Sequence, residues 1–142
     1  MLKDVVFTRK GVLRIKARIL VVDDSPQFVE MYAAMLEREG YIVSKAFDGV
    51  DALEKIEIEK PDLISLDVIM PRMDGFEVCR RIRANPATAH LSVIMVSTLS
   101  DDASRIKGFE VGANDYMTIP CQSHVILDRI SSLLSREAHL PG

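Results

Sequence analysis

Apolar and polar positions along the chain switch between two periods. Residues 19–22, ILVV, form an unbroken apolar run that ends on two adjacent carboxylates, Asp23 and Asp24. From Ser25-Pro26 onward, Phe28, Met31, Tyr32, Met35 and Leu36 recur at helical spacing as far as Gly40. The run predicts a buried strand. The spacing predicts a helix with Ser25 as N-cap, Pro26 at its first position and Gly40 as its stop.

The same alternation continues to the end. YIVSKAF at 41–47 predicts a strand, Asp48-Gly49 a turn, and residues 50–59 a helix ended by Lys60-Pro61. LISL at 63–66 predicts a short buried strand that again runs into a carboxylate, Asp67. A loop, VIMPRMDG, leads to a helix from Phe76 to about Asn85. LSVIMVS at 91–97 predicts a strand, and Asp101 or Asp102 caps a helix that Gly112 stops. NDYMT at 114–118 predicts a short strand. Residues 124–135 predict an amphipathic helix with Ile126, Ile130, Leu133 and Leu134 inward.

Five strands alternating with five helices imply an α/β fold, with a doubly wound parallel sheet covered on both faces. Continuous apolar strands suit that arrangement, because each is buried on both sides. Functional groups in such sheets gather at the carboxyl ends of the strands. That edge would collect Asp23 and Asp24 from the first strand and Asp67 from the third. Ser97 would come from the fourth and the Ile119-Pro120 step from the fifth. Like charges this close at the rim of a protein interior are costly unless a cation lies between them. Hard oxygen donors with several negative charges suit Mg²⁺.

Ahead of the first strand lies a leader, residues 1–17. VVF at 5–7, TRKG at 8–11 and VLRI at 12–15 suggest two short strands around a turn. It reads either as a frayed, disordered extension or as a hairpin that lengthens the first strand and offers an edge to a partner. Residues 18–136 form the predicted domain, and residues 137–142 a mobile tail.

Composition narrows the function. The chain has 142 residues, nearly half of them apolar, which fits one domain with a single core. Its net charge of −3 is unevenly spread. Residues 1–18 hold six basic residues against Asp4 and so carry +5, which leaves −8 on the rest. An acidic body makes nucleic acid an improbable partner, and the basic leader is weak support for one. No apolar run is long enough to span a bilayer, and no secretory signal opens the chain. The two cysteines, Cys79 and Cys121, lack metal-ligand spacing, which argues against a disulfide framework and fits a reducing cytoplasm. Cys121 reads as a small buried filler.

LVVDDSP, LDVIMPRMDG, VIMVS and GANDYMTIP together resemble the receiver domain of two-component response regulators, and the resemblance covers about residues 18–136. It implies a flavodoxin-like sheet of strand order 2-1-3-4-5. It makes Asp67 the acceptor of a phosphoryl group from a histidine kinase or phosphotransfer protein. Asp24, Asp67 and the backbone carbonyl of Ile69 would hold Mg²⁺, with Asp23 helping mainly through water. Ser97 would hydrogen-bond a phosphoryl oxygen. Tyr116 stands where the family keeps an aromatic that swings inward when that hydroxyl moves. Output would pass through a protein-binding face built from the fourth helix, fifth strand and fifth helix. A homodimer is a further option.

One position departs from the family. Ile119 stands where a lysine ordinarily pairs with the acceptor carboxylate and grips the phosphoryl group. Three carboxylates carry −3, and Mg²⁺ leaves −1 where a lysine would give zero. Two readings follow: Asp67 is still phosphorylated with a blunted switch, or the domain is a pseudo-receiver that acts by binding alone. Arg72 is the nearest replacement cation by sequence. Thr98, where alanine is usual, would narrow access.

The rival from another class is a phosphatase with an aspartyl-phosphate intermediate. Such haloacid-dehalogenase-like enzymes need a D-x-D at the strand end, which Asp67-Val68-Ile69 lacks. DDSPQ offers no glycine-rich cradle for a nucleotide. The expectation is therefore a signalling module rather than an enzyme, beyond self-catalysed phosphoryl transfer and hydrolysis. It is either free-standing or a piece of a longer regulator.

Overall fold

The computed structural model describes residues 5–7 and 13–138, with side chains from 16 to 135. Among the described residues seven strands and five helices follow one another. Strands β1 (Val5–Phe7) and β2 (Leu13–Ile15) pair antiparallel, Val5 opposite Ile15. They form a two-stranded sheet separate from the main one, so the hairpin does not lengthen the first core strand. Its turn, residues 8–12, lies outside the described residues, as does the end of the expected tail.

The main sheet comprises β3 (Arg18–Val22), β4 (Ile42–Ala46), β5 (Leu63–Leu66), β6 (Ser92–Ser97) and β7 (Asp115–Thr118). All are parallel, in the order β4-β3-β5-β6-β7, which is 2-1-3-4-5 counted from the first core strand. The helices are α1 (Pro26–Arg38), α2 (Gly49–Glu59), α3 (Gly75–Ala84), α4 (Asp102–Glu110) and α5 (Ser123–Ala138). The last helix begins one residue earlier and runs three residues further than its apolar pattern alone predicts.

Alternate residues of each strand feed two cores. Leu20, Val22, Ile64 and Leu66 join Ile56, Val78 and Ile82 of α2 and α3 on one face. Ile19, Val21, Leu63, Ile94 and Val96 meet Val29, Leu36, Ile126 and Ile130 of α1 and α5 on the other. Burial on both faces explains why the strands read as unbroken apolar runs. Polar caps then fix where each helix leaves the sheet. The Ser25 hydroxyl accepts from the Phe28 N–H at 3.3 Å, and the Asp48, Asp74 and Asp101 carboxylates each accept from the third residue on. The capped ends of α1, α3 and α4 therefore open at the carboxyl edge of the sheet, beside Asp23, Asp67 and Ser97.

Candidate functional site

Strand register brings the first carboxylates together. β3 pairs with β5 so that Val22 lies opposite Leu66, and the next residues, Asp23 and Asp67, leave neighbouring strand ends side by side. Backbone bonds hold both: Asp67 N–H donates to the Val22 carbonyl at 2.9 Å, and Asp23 N–H to the Ala46 carbonyl at 3.2 Å. Asp23, Asp24 and Asp67 each present an oxygen within 4.8 Å of the others. Asp23 is buried, Asp67 half-buried and Asp24 exposed.

The electrostatics follow from that crowding. Burial, then the neighbouring Asp23 charge and more weakly Asp24, push the Asp67 carboxyl up to about 7, against hydrogen bonds from the Ile69 and Val68 N–H groups. Burial also raises Asp23, against the Ser25 N–H that donates to its Oδ1 at 2.9 Å. Two neighbouring carboxyls that resist ionisation are what a site for a divalent cation looks like before its charge is supplied. The donors are hard oxygens around one point, so the residues fit Mg²⁺. Ile69 stands two residues beyond Asp67, its N–H on Asp67 Oδ1 at 3.3 Å.

Ser97 ends β6 and is fully buried, its Oγ accepting from the Leu99 N–H at 3.2 Å. Tyr116 is already inward, 1% exposed, and its phenol donates to the Leu99 carbonyl at 2.9 Å. Burial raises the Tyr116 phenol, while the Ser97 hydroxyl beside it works against that rise. The Arg105 guanidinium covers the ring at 5.4 Å. Gly108 makes the room: a Cβ there would sit 2.9 Å from Tyr116 Cδ2. The aromatic expected to swing inward occupies an inner position.

Two expectations need correction. Arg72 does not turn to the carboxylate cluster. Its side chain is 74% exposed and faces Asp48 at 3.6 Å, set by a left-handed backbone at φ 67°. Cys121 is exposed rather than a buried filler, because it lies in the loop between β7 and α5 and not in either element. Ile119 packs on the α1/α5 core, and its N–H donates to the Ser97 carbonyl at 2.9 Å.

Sequence reasoning missed Arg83. Its guanidinium ties α3 to the carbonyls of Ala89, Leu91 and Gly112 and to the Asn114 side chain, which also accepts from the Val93 N–H. It braces the far end of the sheet, away from the carboxylates.

Comparison with known proteins agrees with this geometry. The family model "Response regulator receiver domain" matches residues 19–131. PleD, a response regulator of Caulobacter vibrioides, is 44% identical over 117 residues, 82% of this chain and 26% of PleD. PilH of Pseudomonas aeruginosa is 37% identical over 119 residues, 84% of this chain and 98% of PilH. The chain thus spans about a quarter of the first relative and nearly all of the second. The crystal structure of the signal receiver domain of a signal transduction histidine kinase from Syntrophus aciditrophicus superposes with a TM-score of 0.81 at 34% identity, covering 89% of this chain and 96% of that one. The chain belongs to the receiver domain family of two-component response regulators.

Proposed function

We propose that Asp67 accepts the phosphoryl group, with Asp23, Asp24, Asp67 and the Ile69 carbonyl holding Mg²⁺. The observation that carries this is the convergence of three carboxylates on one point at matching strand ends. A bound Mg²⁺ would supply positive charge against the oxygens of the transferring group. Asp67 is held by its own backbone bonds and by the Ile69 N–H, so one carboxylate oxygen is presented in a fixed direction as nucleophile. The new bond joins that oxygen to phosphorus, and the bond to the donor's leaving atom breaks. Ser97, at the adjoining strand end, would hydrogen-bond a phosphoryl oxygen. The donor is a histidine kinase or phosphotransfer protein, and the output is a protein that reads the face of α4, β7 and α5. No helix among the described residues is long and apolar enough to cross a membrane; the cytoplasmic placement rests on membership of the receiver family. Borohydride trapping of the acyl phosphate followed by peptide mapping tests the assignment. The label is expected on Asp67, and its appearance on another carboxylate would overturn it.

Ile119, in place of the usual lysine, favours a second reading, in which the output face binds its partner without phosphorylation. Beryllofluoride, a phosphoryl mimic, is accordingly expected to leave the hydrogen-exchange protection around Tyr116 nearly unchanged, since with Ile119 one of the two groups that would grip the mimic is missing. An increase in protection would show an outward population.

The missing lysine also has a metal consequence. An ammonium beside the carboxylates would neutralise part of their charge before any cation arrived. Ile119→Lys is expected to weaken Mg²⁺ binding, on the order of tenfold for one nearby unit charge. Equal or tighter binding in a Mg²⁺ titration of the variant would show that charge at position 119 does not set the affinity.

A further inference from the structure

A second concave feature lies on the α1/α5 side of the sheet. A cavity of about 430 Å³ opens between α1 and the segment joining β7 to α5. Phe28, Met31, Tyr32, Met35 and Arg38 form one wall at single-face helical spacing, and Ile119, Pro120, Cys121 and Ile126 form the other. Its size is that of small-molecule sites. Met31, at 65% exposure, leaves apolar surface open to water at its mouth.

The charges are asymmetric. Among the described residues no Asp or Glu lines the cavity, and Arg38 is the single guanidinium there. Arg38 is exposed and makes no ion pair among the described residues. From Phe28 to Arg38 the wall runs ten residues, about 15 Å along the helix. One end is cationic, and the other abuts Thr98 and Ile119 at the acceptor edge. A lysine at position 119 would interrupt that apolar wall; isoleucine completes it.

We propose that this groove binds an amphiphilic monocarboxylate, with its alkyl chain between Met35 and Ile126 and its carboxylate on Arg38. Through the hydrogen bond from Ile119 N–H to the Ser97 carbonyl, the ligand would bear directly on the strand end that carries the phosphoryl-binding hydroxyl. Any effect on the equilibrium of Asp67 phosphorylation would be matched by an equal effect of phosphorylation on ligand affinity. The binding itself does not depend on Asp67 being phosphorylated.

The test is an amide chemical-shift titration of the full chain with sodium decanoate below its micelle concentration, with decanol as the uncharged comparison. Saturable shifts are expected at Met35, Thr98 and Ile126. Arg38→Gln should weaken decanoate about two- to fivefold, the worth of a solvent-exposed ion pair, and leave decanol unaffected. Met31→Glu places a carboxylate at the apolar mouth and should weaken both ligands about tenfold or more. Both side chains are exposed, and unchanged spectra elsewhere will show that the variants are folded. Absence of saturable shifts would overturn the proposal and leave the groove to a protein partner. Shifts indifferent to Met31→Glu, or decanoate binding indifferent to Arg38→Gln, would equally overturn it.

Discussion

Gly75→Ala is expected to cost about 3 kcal/mol or more of folding stability, at the upper end for overpacking, and to abolish most phosphorylation. Gly75 opens α3, and its N–H donates to the Val68 carbonyl at 2.8 Å. A methyl group there would fall on the Asp67 carbonyl oxygen, well inside van der Waals contact, and within 2.9 Å of Val68 Cα. Those obstacles are backbone atoms, so no side chain can rotate away. Relief requires moving the strand end that carries Asp67 itself. Gly40→Ala is the control: it has φ +95° with nothing within 4 Å. It should lose about 1 kcal/mol through backbone strain and keep its phosphorylation rate. Urea unfolding and phosphorylation kinetics of both variants check this. Wild-type stability and rate in Gly75→Ala would mean that the loop after Asp67 shifts freely.

The second large effect couples metal to pH. In the metal-free protein the Asp67 carboxyl is raised to about 7, while in the unfolded chain it lies near its ordinary 3.8. Between those values the folded state binds more protons than the unfolded state, so stability falls as pH rises from about 4 to 7 and levels off above. A cation competes with that proton. At pH 8, Mg²⁺ at a hundredfold excess over its dissociation constant should stabilise by about 2.7 kcal/mol, or roughly 5–10 °C in Tm. At pH 5 the protonated carboxyl is a poor ligand, and the shift should largely vanish. Asp67→Asn should reduce the pH slope in EDTA and leave the smaller part that the raised Asp23 carboxyl contributes. Thermal unfolding at both pH values, with EDTA or Mg²⁺, decides the matter. Equal Mg²⁺ shifts at pH 5 and pH 8 would place the cation elsewhere.

The strands and the acidic cluster could be read early for the same reason. Burial on both faces writes Ile19 to Val22 and Leu63 to Leu66 as unbroken apolar runs, and each run stops at an aspartate. The parallel topology then sets those stops side by side. Loop paths carry no such periodic signal. Arg72 sits close to Asp67 in sequence, yet a left-handed residue turns it to Asp48. Cys121 looks like a filler until the loop after β7 leaves it in solvent. Gly75 is part of the motif, but its purpose lies in a contact with a residue eight positions earlier. Tyr116 could be placed on its strand but not in its rotamer, which depends on the space above Gly108 and the guanidinium of Arg105. Arg83 reads as one more charge on an amphipathic helix, because its partners are backbone carbonyls that no sequence marks.

Whether three carboxylates and a cation suffice without the usual lysine is decided most directly by intact mass. The protein is incubated with acetyl phosphate in Mg²⁺ or in EDTA, alongside Asp67→Asn. The account predicts a gain of one phosphoryl group in the wild-type protein with Mg²⁺, none in EDTA and none in the variant. A gain that survives in Asp67→Asn, or no gain with acetyl phosphate or phosphoramidate at saturating Mg²⁺, would contradict it.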